Sequence, residues 1–470
     1  MKGLFTTFFP AALMILSLSL YGQKELPESD VSYKLAGKLK TRTTHEIKAS
    51  NWSVGGETMD RDFTVYKNWS PYLEELGIKK VRLQGGWVKC EKQKGVYSWD
   101  WLDEIIFDLP RKGVEPWVCL CYGNPLYGMG ETKLGSKIDT DEVTMSAWLK
   151  WVEAMVTRYG KVVDEWEIWN EPNGHNPPAN YAKLLIPTAE LIKRIQPEAK
   201  VIGFALAGIN FDFTEGVLKI LKAEDKSKYV DYLCYHPYNF NPDASYEDVD
   251  RLYKLMKSYA PAMELFQGEN GAPSEYRTVR ALNKYAWTEL SQAKWALRRM
   301  LGDLGRDIPT SIFSIIDMKY PDEMNRKGLL YSNDDLTVGH RKQAFYAVQN
   351  LAAVFDNSLV RIKNFQYTAT TDKKSSAFAF KNKNDGKNLV VLWLHTDRPS
   401  DHNTVSLVPV GMTGVRFKNP VWVDLRTGSV YEIPDQDWQQ DGKTFRMKNM
   451  PAYDSPVLIA EKGIIRIIKN

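Results

Sequence analysis

Histidine and cysteine are scarce in this chain, with six and four residues among 470. No Cys/His spacing of a zinc site is present, so zinc-finger and zinc-ribbon modules are excluded. Cys90, Cys119, Cys121 and Cys234 make no evident disulfide framework; Cys119 and Cys121 alternate along an apolar run and read as buried thiols. No Gly-rich phosphate loop opens any helical segment, which argues against a nucleotide-binding open sheet. Charge is nearly balanced, 62 basic against 58 acidic side chains, a net +4. Without a basic block interleaved with aromatics, nothing points to a nucleic-acid partner. Past the N-terminus no apolar run is long enough to span a membrane. The N-terminus itself has Met1-Lys2 and an apolar stretch from Leu4 to Leu20, broken by Pro10. Residues 1–22 read as a secretory signal, with no following cysteine for a lipid anchor. The expected location is secreted or periplasmic, with no membrane attachment beyond the export signal.

Aromatic residues, by contrast, are plentiful: 15 Trp and 24 Tyr. A large core explains most of them, and the excess suits a carbohydrate cleft. The densest stretch is Trp166-Glu167-Ile168-Trp169-Asn170-Glu171-Pro172. It reads as a short apolar strand that stops at Pro172, which cannot donate a ladder hydrogen bond. Glu171 is thereby set at a strand's C-terminal end, beside an amide and two indoles. Burial against rings raises a carboxyl pKa toward working pH, as a proton donor to a glycosidic oxygen requires. A second stretch, Met263-Glu264-Leu265-Phe266-Gln267-Gly268-Glu269-Asn270-Gly271, repeats the pattern and ends at Glu269. One strand-end Glu alone would read as a solvated loop carboxylate. Two of them on different strands fit a retaining glycosidase, whose acid/base and nucleophile stand about 5 Å apart.

Between about residues 40 and 355, eight strand candidates alternate with helical patterns: Ile47–Val54, Lys80–Leu83, Glu115–Cys121, Asp164–Trp169, Lys200–Leu206, Tyr229–Tyr235, Met263–Gln267 and Ser311–Ile316. Helical periodicity is clearest over Val143–Tyr159, Tyr181–Ile195, Val249–Tyr259, Leu282–Leu304 and Arg341–Phe355. Eight such units predict an α/β chain with a (β/α)8 TIM barrel, which gathers its catalytic groups at the C-terminal strand ends. Residues 356–470 change to short strands separated by turns such as Asn384-Asp385-Gly386, the pattern of a β-sandwich domain. A strand from 26–39 is a candidate to join that sandwich.

Other residues fall at the same end of the predicted barrel. Arg82, on the apolar second strand, needs a carboxylate partner and is placed to keep a nucleophile ionised. His236 and Tyr238 close the sixth strand, and Tyr238 is a candidate hydrogen-bond donor to Glu269. The loop Gly55–Asp62 is densely charged and reads either as a solvated loop or as a source of hydrogen bonds to sugar hydroxyls. Trp87 and the loop Tyr122–Gly135, with Tyr127, are candidates for a stacking platform.

Together these residues resemble clan A of the glycoside hydrolases, and the barrel-plus-sandwich plan is similar to family 39 and its neighbours. The resemblance implies Glu171 as acid/base, Glu269 as nucleophile and Asn170 on the sugar 2-hydroxyl, with Arg82, His236 and Tyr238 matching clan positions. Two positions depart from the clan: Asn124 stands for the usual strand-three His, and Asp317 for the usual strand-eight Trp. Asp317 is either a sugar ligand or a structural acid paired with Lys319 or Arg326. The expected activity is secreted, retaining hydrolysis of a β-linked oligo- or polysaccharide, requiring no metal or cofactor. A catalytically silent carbohydrate-binding barrel is the alternative. Sugar, linkage, exo or endo action and oligomeric state stay open.

Overall fold

The computed structural model describes residues 26, 28–129 and 136–469. The expected signal segment and the far part of the loop after Tyr122, residues 130–135, lie outside the described residues.

Eight parallel strands close a barrel: β1 Trp52–Gly55, β2 Lys80–Gln84, β3 Glu115–Leu120, β4 Glu165–Ile168, β5 Lys200–Ala207, β6 Tyr232–His236, β7 Glu264–Gln267 and β8 Thr310–Ile312. Closure is made by β1 on β8, with Trp52 opposite Thr310 and Val54 opposite Ile312. The strands are buried on both faces, hence their near-continuous apolar sequences. Trp117, Ile202, Ala205, Cys234 and Phe266 form a small apolar cluster of their own. Val81, Leu83, Val118 and Leu233 join the main core instead. All four cysteines are buried and unpaired.

Two expected strands are shorter than their sequences suggest. The segment before β1 forms a 3-10 turn at Thr44–Glu46, so pairing begins only at Trp52. The eighth strand ends at Ile312 rather than at Ile316. The helix expected from Leu282 starts at Glu289, where Thr288 caps it and Ser291 returns the bond. After β8 come two hairpins that periodicity did not reveal, Met318–Lys319 with Met324–Asn325 and Leu330–Ser332 with Val338–Arg341.

The C-terminal region forms an eight-stranded antiparallel sheet and a four-stranded one, enclosing a core that includes Val390, Met412, Trp422 and Phe445. Strand Lys34–Leu39 pairs with Ser429–Glu432 in the larger sheet, so the chain enters through the sandwich before it builds the barrel. The helix Glu289–Leu304 is buried from Leu290 to Asp303. Lys294 on this helix donates to Asp454 at 2.8 Å, and Arg298 pairs with Asp243, whose Oδ1 accepts from Trp393 Nε1 at 3.1 Å. Among the described residues no helix is long and apolar enough to cross a membrane.

Candidate active site

The site is organised by one arginine. Arg82 is 0% exposed, and its guanidinium lies 5.4 Å from the Trp117 ring centroid. A buried guanidinium demands anionic partners, and three carboxylates meet it. Nη1 donates to Glu269 Oε2 at 2.6 Å and to Glu57 Oε1 at 2.9 Å. Nε donates to Glu167 Oε2 at 3.0 Å, while Nη2 bonds the other Glu167 oxygen and also Asn170 Oδ1 at 2.7 Å. Burial alone would depress the Arg82 pKa, but these acids hold it well above its ordinary value.

Glu269 stands just past the end of β7. Tyr238 Oη donates to its Oε1 at 2.8 Å, and His236 Nδ1 is 3.9 Å from its Oε2. Burial pushes the Glu269 carboxyl up; His236, Arg82 and the Tyr238 hydroxyl outweigh it and hold it below the ordinary carboxylate range. Across the cleft, Glu171 Oε1 lies 3.0 Å from His236 Nδ1. One ligand atom from each of Glu171, His236 and Glu269 lies within 4.8 Å of the others. The backbone is strained here: Trp169 and Glu171 have φ of +67° and +53°, and Ala205, whose carbonyl accepts from Glu171 N at 2.9 Å, has +36°. Such clustering of unfavourable dihedrals is typical of functional sites. Asn170, between the two strained residues, is fixed from both ends, since its Nδ2 donates to Tyr122 Oη at 2.8 Å.

The structure thus brings Arg82, Asn170, Glu171, His236, Tyr238 and Glu269 together. Trp87, Asn124 and Asp317 are not among them. Trp87 is fully buried, stacked between Tyr127 and Trp151, with Nε1 donating to Glu91; it has no face left for a sugar. Asn124 is fully buried, donating to Glu91 O and capping Leu126 N. Tyr122, two residues earlier, is the one that reaches the site. Asp317 lies beyond the true end of β8 and is 0% exposed. It accepts from Lys342 Nζ at 2.6 Å, Gly328 N at 2.9 Å, Arg326 Nη1 at 3.1 Å and Ser332 N at 3.2 Å. The structural reading of Asp317 is the one its contacts support, through Lys342 and Arg326 rather than Lys319. Nor do indoles wall Glu171 as expected: Trp166 and Trp169 are buried, Trp166 bonded to Gln196 and Trp169 packed on Trp148 and Tyr122.

Glu167 and Lys327 escaped the sequence reading, and Glu57 and Tyr122 entered it only as members of candidate loops. Glu57 belongs to the charged loop after β1, and its Oε2 is buried with no hydrogen-bond partner. Burial, reinforced by the charge on Glu269 and opposed by Arg82, pushes its carboxyl up to about 7. Glu167 alternates with Trp166 and Ile168 on a buried strand, so its side chain had to point into the barrel; that was the available signal.

A family model, Glycosyl hydrolases family 39, matches residues 53–266, from β1 to just before Glu269. No curated protein matches the chain. Among solved structures it is similar to a family 39 glycoside hydrolase from the gut symbiont Bacteroides cellulosilyticus WH2, at 17% identity and TM-score 0.63, covering 87% of this chain and 80% of that one. It is also similar to a monomeric β-xylosidase from Caulobacter crescentus CB15, at 19% identity and TM-score 0.57, covering 91% and 97%. A GH30 endoxylanase from Clostridium papyrosolvens C71 matches at 13% identity and TM-score 0.58, covering 91% and 98%. At these identities the structural likenesses establish the fold. With the family match they support a clan A glycoside hydrolase similar to family 39. The chain is a retaining glycoside hydrolase built as a TIM barrel with a β-rich C-terminal domain.

Proposed function

We propose that the chain hydrolyses a β-linked carbohydrate by double displacement, with Glu269 as nucleophile and Glu171 as acid/base. The observation that carries this assignment is the asymmetry between the two acids. Arg82 and Tyr238 donate directly to Glu269 and keep it ionised, whereas His236 is the donor or acceptor beside Glu171. In the first step Glu269 attacks the anomeric carbon, the glycosidic C–O bond breaks, and the Glu171 proton passes to the leaving oxygen. In the second, Glu171 takes a proton from water as its oxygen displaces Glu269 from the anomeric carbon. The spacing supports this order, since an inverting pair would stand about 6.5–9.5 Å apart to admit water.

The neighbours named for xylosidase and endoxylanase action make aryl β-xylosides the first substrates to try. The N-terminal signal-like run supports export. NMR of the first-formed product tests the mechanism: a β-glycoside should release the β-hemiacetal before mutarotation. Release of the α-anomer would mean inversion and overturn the assignment, and absence of turnover on a broad glycoside panel would favour a silent binding barrel.

A further inference from the structure

Glu57 and the nucleophile Glu269 share one nitrogen of Arg82. Nη1 donates to Glu57 Oε1 at 2.9 Å and to Glu269 Oε2 at 2.6 Å. Glu167 takes the other side of the guanidinium, through Nε and Nη2. One cation thus faces three carboxyls, and Glu57 is the one with a bare oxygen. Its Oε2 is buried and has no hydrogen-bond partner among the described residues. A buried carboxylate oxygen without a donor is costly, and a like charge on the same nitrogen adds to the cost. The double displacement described above uses Glu171 and Glu269 and leaves this third acid without a task.

The loop after β1 holds that carboxyl in place. Gly56 N donates to Arg82 O at 2.8 Å and Ile315 N to Gly55 O at 2.8 Å, so β2 and the segment after β8 pin the two glycines. Thr64 Oγ1 donates to Glu57 O at 3.3 Å, and Thr58 takes a φ of +70° as the chain moves on. A Cβ on Gly55 would stand 2.1 Å from Glu57 Oε2, so the side chain folds back over bare backbone. The charged groups that face Glu57 are Arg82 from β2 and Glu269 from the end of β7. Glu167, Tyr238 and His236 act on it through those two. Asp60 and Arg61, on its own loop, pair with each other.

We propose that Glu57 is a positioning residue for the second half of the reaction: it holds a proton while Glu269 is the anion and releases it when Glu269 is esterified, so that Arg82 Nη1 keeps a carboxylate partner throughout. This inference rests on the glycosidase reading above. In the first step a Glu269 oxygen lone pair forms the bond to the anomeric carbon. The glycosidic C–O bond breaks, and its electron pair on the leaving oxygen takes the Glu171 proton. Glu269 becomes a neutral ester, the charge that opposed ionisation of Glu57 is gone, and the Glu57 proton passes to solvent. The cluster carries one net negative charge on both sides of the step, from Glu167 and Glu269 against Arg82 before it and from Glu167 and Glu57 after it. Positive charge growing on the sugar as water displaces Glu269 then meets the same field that served the first step. The proton returns from solvent once Glu269 is free. Burial lifts the Glu57 carboxyl to about 7, with Arg82 opposing and Glu269 reinforcing, which suits a proton held in the free enzyme below neutral pH.

The test counts protons. Wild type and Glu57→Gln are each labelled at about pH 6 with a 2-deoxy-2-fluoro dinitrophenyl glycoside in weak buffer, and proton release is read with an indicator dye. Wild type should release at least about half a proton per adduct more than Glu57→Gln, any release from Glu171 being common to both. Equal release overturns the proposal and leaves the glycosidase reading intact, since both proteins carry the adduct. On activated aryl glycosides, where breakdown of the intermediate limits turnover, Glu57→Gln should lower kcat about tenfold and kcat/KM by less. Equal losses in the two overturn the positioning role. If the wild type takes no label from any sugar, the glycosidase reading fails. In that case, or if only Glu57→Gln takes none, difference titration decides Glu57. The proton bound by wild type and not by Glu57→Gln should be held at least about tenfold more weakly in the Glu269→Gln background, where the same charge is absent. An unchanged affinity overturns the proposal.

Discussion

Inside the barrel Arg82 faces three carboxylates, whereas at the barrel–sandwich seam Lys294 and Arg298 face one each, Asp454 and Asp243. Both groups are buried and hydrogen-bonded. At the seam charge is matched one to one, the arrangement by which buried pairs fix how two surfaces meet. In the barrel acids outnumber the base, so they cannot all be ionised at equal cost. Glu269, which accepts from both Arg82 and Tyr238, is held as the anion, and Glu57, with one Arg82 bond and an Oε2 that has no partner among the described residues, is pushed toward the neutral form. Matched charge serves assembly here, and mismatched charge prepares a nucleophile.

The largest expected effect separates chemistry from folding. Glu269→Gln should cut kcat/KM by on the order of four decades or more. Its melting temperature should hold or rise, because the variant removes one charge from an over-supplied cluster. Retention of more than about a tenth of wild-type activity would break the assignment.

Removing the base from each cluster comes next. Arg82→Met strands three buried acids and Lys294→Met strands one, and each should cost about 3–5 kcal/mol or more in chemical denaturation. Turnover measured where the protein is still folded should vanish for Arg82→Met and survive for Lys294→Met. Loss of activity in both would erase the distinction drawn between barrel and seam.

The smallest effect sharpens the comparison by pH. The Glu57 carboxyl is raised from 4.5 to about 7, so its stabilising contribution is complete below pH 4.5 and is lost as pH rises through about 7. Glu269 is shifted the other way; its contribution is present above pH 4.5 and is lost as pH falls through its lowered pKa. Between pH 5 and 7.5 the wild type should therefore lose stability relative to Glu57→Gln, whose curve should be flatter. Parallel urea-denaturation curves across that range would show that Glu57 carries no such proton.

Much of the barrel was legible because alternating apolar strands and amphipathic helices leave separate periods in sequence. Glu171 and Glu269 were legible because Pro172 and the flanking glycines punctuate the strands they follow. Arg82 was legible because a charge on an apolar strand must have a partner, yet that same logic was not carried on to Glu167. Asp317 was misplaced by an assumed strand that runs to Ile316; the regular ladder ends at Ile312, and Asp317 N bonds Leu330 O of the following hairpin instead. Trp87 and Asn124 were misplaced because composition places aromatics and amides near a cleft but does not say which way they face. Lys327 was invisible for a related reason: only the assembled hairpins set its amine over the Tyr238 ring.

The most direct measurement is to trap the intermediate. A 2-deoxy-2-fluoro aryl glycoside of a sugar the enzyme hydrolyses should accumulate one covalent adduct, because fluorine slows breakdown of the glycosyl enzyme more than the good leaving group slows its formation. Peptide mass spectrometry should place that label on Glu269. A label on Glu171 or Glu57, or turnover with inversion and no adduct, would contradict the account.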